Sequence, residues 1–229
     1  MSRHAALLVA AQVLLKPNSV IGFATGSTSE RLYGFLTEMY NRGELDFSEL
    51  RSVNLDEYYP ISSENNQSYH YFMQTKLFGR VNIKPENVHI PNGEAADPHE
   101  EARRYEEMIN SLGGIDFQIL GVGRNGHIGF NEPDTSLFTD THLTSLTQST
   151  IDANSRFFAP DEKVPEHALT MGMGSILKAK KILLIANGAS KREAIAKLRE
   201  GALDTNWPVT LLNMHNDVTV ICDKAAFNG

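Results

Sequence analysis

The sequence predicts an α/β fold: a mostly parallel sheet with helices on both faces and a lid segment. Three observations carry that expectation. Short apolar runs alternate with stretches of helical periodicity along most of the 229 residues, the pattern of strands joined by crossover helices. Phe117–Leu120 is a short apolar run that reads as a buried strand, and glycines at 121, 123, 126 and 129 follow it directly. A long polar excursion, residues 133–170, then breaks the rhythm.

Taken in order, Met1–Leu15 has apolar residues at helical spacing. It contains Gln12 and no cleavage-site pattern, so it reads as an amphipathic helix and not as a signal peptide. Ser19–Ala24 is a strand. Glu30–Asn41 is a helix, with Leu32, Phe35, Leu36, Met39 and Tyr40 on one face and Gly43 as its stop. Arg51–Leu55 is a short strand and Asn66–Phe78 a helix. Asp97–Leu112 carries Ala102, Tyr105, Met108, Ile109 and Leu112 at helical spacing and ends at Gly113-Gly114. Phe117–Val122 and Ile182–Asn187 are strands. Lys191–Glu200 is a helix that Ser190 opens, with Glu193 completing a capping box. Val218–Cys222 is the last strand. Residues 133–170 are rich in Thr, Ser and Asp, carry Pro160 and Pro165, and make a candidate lid.

Composition narrows the functional classes. Apolar residues make up 41% of the chain and the net charge is −7. That balance gives no nucleic-acid or anionic-membrane surface, and no apolar stretch reaches membrane-spanning length. The single cysteine, Cys222, rules out an internal disulfide and fits a reducing cytosol. Lying in an apolar run, it reads as a small buried hydrophobe.

Four segments carry chemistry. In Gly121-Val-Gly-Arg-Asn-Gly-His-Ile-Gly-Phe-Asn-Glu-Pro133, one imidazole (His127) and one carboxylate (Glu132) sit among glycines, just past a strand's carboxyl end. Open α/β sheets place their chemistry at that position. The bland alternative is a glycine-rich connection with a solvated His and Glu. Phe23-Ala-Thr-Gly-Ser-Thr-Ser29 lies between a strand and a helix. Gly26, Ser27 and Thr28 there suit a single phosphate at a helix N-terminus, or serve as an ordinary cap. The segment is neither a Walker A loop nor GxGxxG, which argues against a nucleotide. In Asn54-Leu-Asp-Glu-Tyr58, adjacent Asp56 and Glu57 point to opposite sides of an extended backbone. One can face the cleft as a general base while the other is structural; a surface turn pair is the alternative. Lys191 at a helix start opposes the helix dipole unless an anion sits nearby. Arg156 could reach such an anion, although each cation alone reads as a solvated charge. Asp56, His127 and Glu132 are metal-ligand types, but no HExxH, paired His or Cys cluster supports a metal. No GxSxG elbow supports a serine hydrolase.

With these residues in view, the loop 121–133 resembles the signature of the glucosamine-6-phosphate deaminase family. Ala24-Thr-Gly-Ser-Thr28, Asn54-Leu-Asp-Glu-Tyr58, Asn154-Ser-Arg-Phe-Phe158 and Gly188-Ala-Ser-Lys191 are similar to that family's other motifs, in the same order. The related 6-phosphogluconolactonases share a Gly-x-Gly-x-x-Gly-His loop but do not usually continue Ile-Gly-Phe-Asn-Glu-Pro. The resemblance implies a Rossmann-like sandwich without a nucleotide, in one domain over residues 1–229, with the lid at about 134–170. It implies a deaminating isomerase that releases ammonia from a sugar phosphate, a hydrolase of a C–N bond, needing no cofactor. Residue by residue, Asp56 matches the proton-transfer base, His127 the ring-opening residue and Glu132 the carboxylate that orients it. Gly26, Ser27, Thr28, Arg156 and Lys191 match the positions that hold the 6-phosphate.

Asn125 stands where many members have Asp. An amide still hydrogen-bonds the imidazole but adds no negative charge beside it, which bears on the pH optimum. Longer members are hexamers activated by N-acetylglucosamine 6-phosphate, whose basic site residues follow Glu-Pro. Here His142 and Thr144 stand where that Arg and Lys would be, and the chain stops at Gly229, soon after the last strand. The resemblance with these departures implies a cytoplasmic monomer without an allosteric activator. A sugar-phosphate sensor on the same fold normally adds a DNA-binding helix-turn-helix, which this sequence lacks.

Overall fold

In the computed structural model, which describes residues 1–155, 158 and 162–228, six parallel strands form one sheet. They are β1 (Val20–Phe23), β2 (Arg51–Asn54), β4 (Val88–His89), β5 (Phe117–Leu120), β8 (Ile182–Ala186) and β9 (Val218–Cys222). Their order is β4-β2-β1-β5-β8-β9. The chain builds outward from β1 to one edge, returns to the middle at β5, and builds outward to the other edge. Val20 pairs with Arg51 on one side of β1, and Ile21 with Phe117 on the other. The order therefore reverses between β1 and β5. Loops leaving the carboxyl ends of those two strands must diverge to opposite faces, which opens a crevice.

The expectation of helices on both faces holds. Helices α1 (Ser2–Leu15), α2 (Ser27–Asn41) and α3 (Tyr69–Lys76) cover one face, where Val9, Leu32, Leu36 and Met73 pack on Ile21, Phe23 and Ile119. On the other face lie α4 (Pro98–Ser111), α6 (Met173–Leu177), α7 (Arg192–Arg199) and the short α8 (Lys224–Phe227). There Tyr105, Ile109, Ile176 and Ile195 meet Val20, Val53, Leu120 and Leu184. Strand β8 shows why its sequence is apolar throughout: Ile182 and Leu184 face one cluster, Leu183 and Ile185 the other.

A second sheet was not legible in the sequence. Strands β3 (Asp56–Tyr59), β7 (His167–Thr170) and β6 (His142–Ser145) form an antiparallel sheet in the order β3-β7-β6. Strand β3 continues the chain of β2 after one residue, Leu55. The Leu55 N–H still donates to the Phe23 carbonyl of the main sheet, while its carbonyl accepts from Met171. At Leu55 the chain leaves one sheet for the other. The polar excursion of 133–170 is therefore not an unstructured connection. It enters through β6, crosses α5 (Gln148–Ser155) and leaves through β7. An aromatic cluster of Tyr58, Phe130 and Phe158, with Ile151 and Tyr69 against it, seats α5.

Three other expectations need correction. Helix α2 starts at Ser27, three residues ahead of the sequence reading, because the Gly26 carbonyl accepts from Glu30 and begins the ladder at once. Ser190 does not cap a helix. A single 3-10 turn spans Ala189–Lys191, α7 starts at Arg192, and its N-cap Lys191 makes no side-chain cap bond. Gly188, with a φ of 85°, launches that turn while its N–H is held by the Asp223 carboxylate at 3.0 Å, which moves the helix start past Ser190. Cys222 is only half-buried, because β9 is an edge strand whose Thr219 and Val220 face outward.

One buried carboxylate ties the amino ends of the sheet to α1. Asp116 accepts from Lys16 at 2.6 Å, Lys180 at 2.8 Å and the Val20 N–H at 2.9 Å. Burial raises its pKa, but these donors outweigh burial and hold the carboxyl at about 2. Asp116→Ala strands the Val20 N–H and should cost about 2 kcal/mol in urea unfolding at neutral pH. A depressed folded-state pKa stabilises above the unfolded value near 3.8 and loses that stabilisation as pH falls toward 2. The variant should therefore lose less stability than the parent between pH 4 and pH 2.

Candidate active site

A cleft of about 840 Å³ opens at the carboxyl ends of β1 and β5, where the strand order reverses. The loop after β1, the start of β3, the loop after β5, the first turn of α5 and the turn before α7 all line it.

Gly26, Ser27 and Thr28 lie at the N-terminus of α2. Gly26 has a φ of 104°, a left-handed value that glycine adopts without strain. The Thr28 hydroxyl donates to Asn187 Oδ1 at 2.6 Å, which pins the start of α2 to the end of β8. Lys191 is half-buried in the same cleft. Burial and then the nearby Arg124 charge lower its pKa. Lys191 and Arg124 line one cleft with the N-terminus of α2, an arrangement that can seat an anion. Arg156 lies outside the described residues, so its expected place at this seat has no counterpart here.

The adjacent carboxyls Asp56 and Glu57 part as the extended backbone dictates. Glu57 is 2% exposed and accepts from the N–H groups of Tyr58, Tyr69 and His70 at 2.8–2.9 Å. It caps α3 together with Ser68, whose hydroxyl accepts from Tyr71. Burial lifts its carboxyl to about 7 against the three donors. Asp56, on the opposite side, lines the cleft. Burial, and then the neighbouring Glu57, push its carboxyl up to about 8, and among the described residues no donor pulls it back.

Two glycines of the loop after β5 are required by close approach. A Cβ on Gly123 would stand 2.3 Å from the His127 ring, and one on Gly129 would stand 2.9 Å from Thr170 Oγ1 and 3.4 Å from Asp56 Oδ2. Bare backbone lets the imidazole fold onto the loop and lets the loop lie against the Asp56–Thr170 pair of β3 and β7. His127 Nδ1 is 3.3 Å from Glu132 Oε1, close but not aligned as a hydrogen bond. Glu132 also accepts from Asn125 Nδ2 at 2.7 Å and from the Thr150 hydroxyl at 2.9 Å. Burial raises the Glu132 pKa, but His127, Asn125 and Thr150 together bring it below its ordinary value. Asn125 thus departs from the expectation that its amide would meet the imidazole. The amide donates to Glu132, and its carbonyl accepts from the His127 backbone N–H at 3.3 Å.

Residues 3–221 match the model of the family described as glucosamine-6-phosphate isomerases/6-phosphogluconolactonase. The chain belongs to this family. It is similar to the protein named glucosamine-6-phosphate deaminase from Thermoanaerobacter sp. (strain X514), with 57% identity over 99% of this chain and 89% of the relative. The protein of the same name from Clostridioides difficile (strain 630) is 53% identical over 99% and 91%. The solved structure of a monomeric glucosamine-6-phosphate deaminase superposes with a TM-score of 0.95. Its identity is 45%, covering 98% of this chain and 93% of that one.

Within this family member, the loop motifs were legible and several of their partners were not. Thr150, Arg124 and Tyr69 all line the cleft. Arg124 stood in the quoted motif without a role. Tyr69 looked like one more residue of a helix face. Thr150 lies in a polar stretch that gives no periodic signal.

The unpaired burial of Asp56 has a stability consequence. A folded-state pKa raised to about 8 from an ordinary 3.8 means that the folded protein keeps a proton the unfolded chain has released. Its stabilising contribution is complete below the unfolded value and is lost as pH rises through the folded one. Asp56→Asn should therefore be more stable than the parent at pH 8, by on the order of 2–5 kcal/mol, and nearly equal to it at pH 4. Chemical denaturation at the two pH values reads this difference directly.

Proposed function

We propose that the chain converts glucosamine 6-phosphate and water into fructose 6-phosphate and ammonia. The observation that carries this reading is one cleft holding both a buried, unpaired carboxyl (Asp56) and an imidazole backed by a carboxylate (His127 and Glu132). The anion seat formed by Gly26, Ser27, Thr28 and Lys191 shares that cleft, and Arg156 completes it in this reading. Relatives of this name at 57% identity support the substrate.

The chemistry asks for these groups. The closed sugar first moves a proton from the C1 hydroxyl to the ring oxygen, a task that an imidazole suits near neutral pH. His127 does this, held by Glu132. The open aldehyde next loses its C2 proton to Asp56 while O1 gains one, giving an enolamine. Returning a proton to C1 leaves an imine at C2. Water adds to that carbon and ammonia departs, so the net step hydrolyses a C–N bond without redox change or cofactor. A carboxyl poised near neutrality by burial is a stronger base than an ordinary one. The remote phosphate supplies binding energy that positions C1 and C2. In this reading residues 1–229 are one catalytic domain, residues 134–170 cover the bound sugar, and the enzyme works in the cytoplasm.

Coupled assays of ammonia and fructose 6-phosphate from glucosamine 6-phosphate test the proposal; absence of both products overturns it. Asp56→Asn should cut turnover by about 10²–10⁴-fold and abolish solvent deuterium exchange at C2, with substrate binding nearly intact. Exchange at the parent rate would remove Asp56 from the role of base.

We further infer a monomer without an activator site. His142 Nδ1 lies against the Asp140 carbonyl and its ring stacks on Phe138 at 4.4 Å. Burial lowers its pKa. A neutral His and a Thr at 144 do not replace two fixed charges for phosphate capture. Sedimentation should show one chain per particle. Rate curves should be hyperbolic and unmoved by N-acetylglucosamine 6-phosphate, and a hexamer or a sigmoidal curve relieved by that ligand would overturn this reading.

A further inference from the structure

Glu132 Oε1 is shared. His127 Nδ1 approaches it to 3.3 Å off the hydrogen-bonding direction, and the Thr150 hydroxyl donates to it at 2.9 Å. Thr150 does not belong to the loop that carries the other members of this group. It sits in the first turn of α5, where its N–H bonds Thr147 and its hydroxyl accepts from the Thr147 hydroxyl at 3.0 Å. The chain Thr147–Thr150–Glu132 is thus a run of hydrogen bonds that polarise one another and end on a carboxylate. The same helix packs its Ile151 against the apolar cluster that contains Tyr58 and Phe130. Tyr58 lies in β3 with Asp56, and Phe130 lies in the loop with His127. A displacement of α5 therefore reaches Glu132 both through packing and through this hydroxyl.

We propose that Thr150 is a positioning residue: its hydroxyl, carried on the lid helix α5, fixes the Glu132 carboxylate and so sets how that carboxylate holds His127. The inference rests on the function proposed above. While the hydroxyl donates to Oε1, the carboxylate is stabilised in its ionised form and held beside the imidazole. When α5 moves away, the carboxylate loses that support and its hold on the imidazole weakens. The position of the helix is thereby transmitted to the acid–base pair with no contact between Thr150 and substrate. Arg124 from the same loop, Asp56 from β3, Lys191 before α7 and Tyr69 from α3 also face this group across the cleft. None of them is altered by a change at Thr150, so a difference between variant and parent reports the hydroxyl.

Thr150→Val keeps the shape and removes the donor, whereas Thr150→Ser keeps the donor. In substrate-free protein, carboxyl NMR should find Glu132 titrating about 0.5–1 pH unit higher in the valine variant and near the parent value in the serine variant. In the deaminase assay, valine should lower kcat about tenfold with a smaller change in KM. It should also move the acid limb of the kcat/KM profile to higher pH, and serine should restore both. An unmoved Glu132 titration in the valine variant, or a serine variant that behaves like valine, overturns the inference. A parent that titrates as expected but releases no ammonia overturns the proposed function and leaves the hydrogen-bond result standing.

Discussion

The reversal of strand order between β1 and β5 is the constraint on which the site depends. Parallel strands must be joined by crossovers, and crossovers of one hand starting from the middle of a sheet go to opposite faces. The loops after β1 and β5 are therefore forced apart at their carboxyl ends, and the gap between them cannot be filled by either. What fills the rest of the perimeter is the second sheet. Because β3 continues β2 after Leu55 alone, Asp56 is delivered to the rim of the gap by backbone geometry. Pairing of Asp56 with Thr170 then fixes its height, and Gly129 lets the loop after β5 close down on that pair.

Adjacent acids on β3 show how neighbouring residues take opposite parts. Glu57 is buried with three backbone donors and serves the fold by capping the start of α3. Asp56 is buried almost as deeply and has no donor among the described residues. Asp116, at the far end of the sheet, is buried with two cations and an N–H. Compensation is thus applied to the two structural carboxyls and withheld from the one facing the cleft. Burial without compensation costs stability in the charged form, and the same burial makes the group a base near neutral pH. The strain on the fold and the reactivity proposed for the site are two consequences of one missing set of partners.

Much of this was legible in the sequence. Strands β1, β5 and β8 read correctly because they are buried on both faces and so are largely apolar in succession, whereas β2, Arg-Ser-Val-Asn, read as a strand without such a run. Helices α1, α2, α3, α4 and α7 read because one face is apolar at a spacing of three to four, whereas α5, α6 and α8 did not read. The loop motifs read because glycine, histidine and carboxylate seldom fall together without a reason in space. The strands of the second sheet did not read. Strand β6 is half-exposed and reads His-Leu-Thr-Ser, and β3 reads Asp-Glu-Tyr-Tyr, so neither shows the run or alternation that marks a strand. The capping box failed because Ser190 and Glu193 have the right spacing but Gly188 and Asp223 set the local path first. Thr150 had no signal, since a threonine in a polar stretch gains its meaning only from a carboxylate 18 positions earlier that folding brings beside it.

From sequence, an amide at Asn125 in place of an acid looked like a weakened support for the imidazole. In the structure its partner is Glu132, already ionised and held below its ordinary pKa. An aspartate in the same pose would set two carboxylates at 2.7 Å, a distance that an N–H donor makes attractive and a second anion makes repulsive. The amide is therefore suited to this arrangement, with Thr150 donating to one oxygen of Glu132 and Asn125 to the other. Two neutral donors fix the carboxylate without cancelling its charge, so the charge remains available to the imidazole. A Lys or Arg in either place would fix it as well but would neutralise it. The choice of neutral donors on both oxygens is what lets Glu132 be rigid and still act on His127.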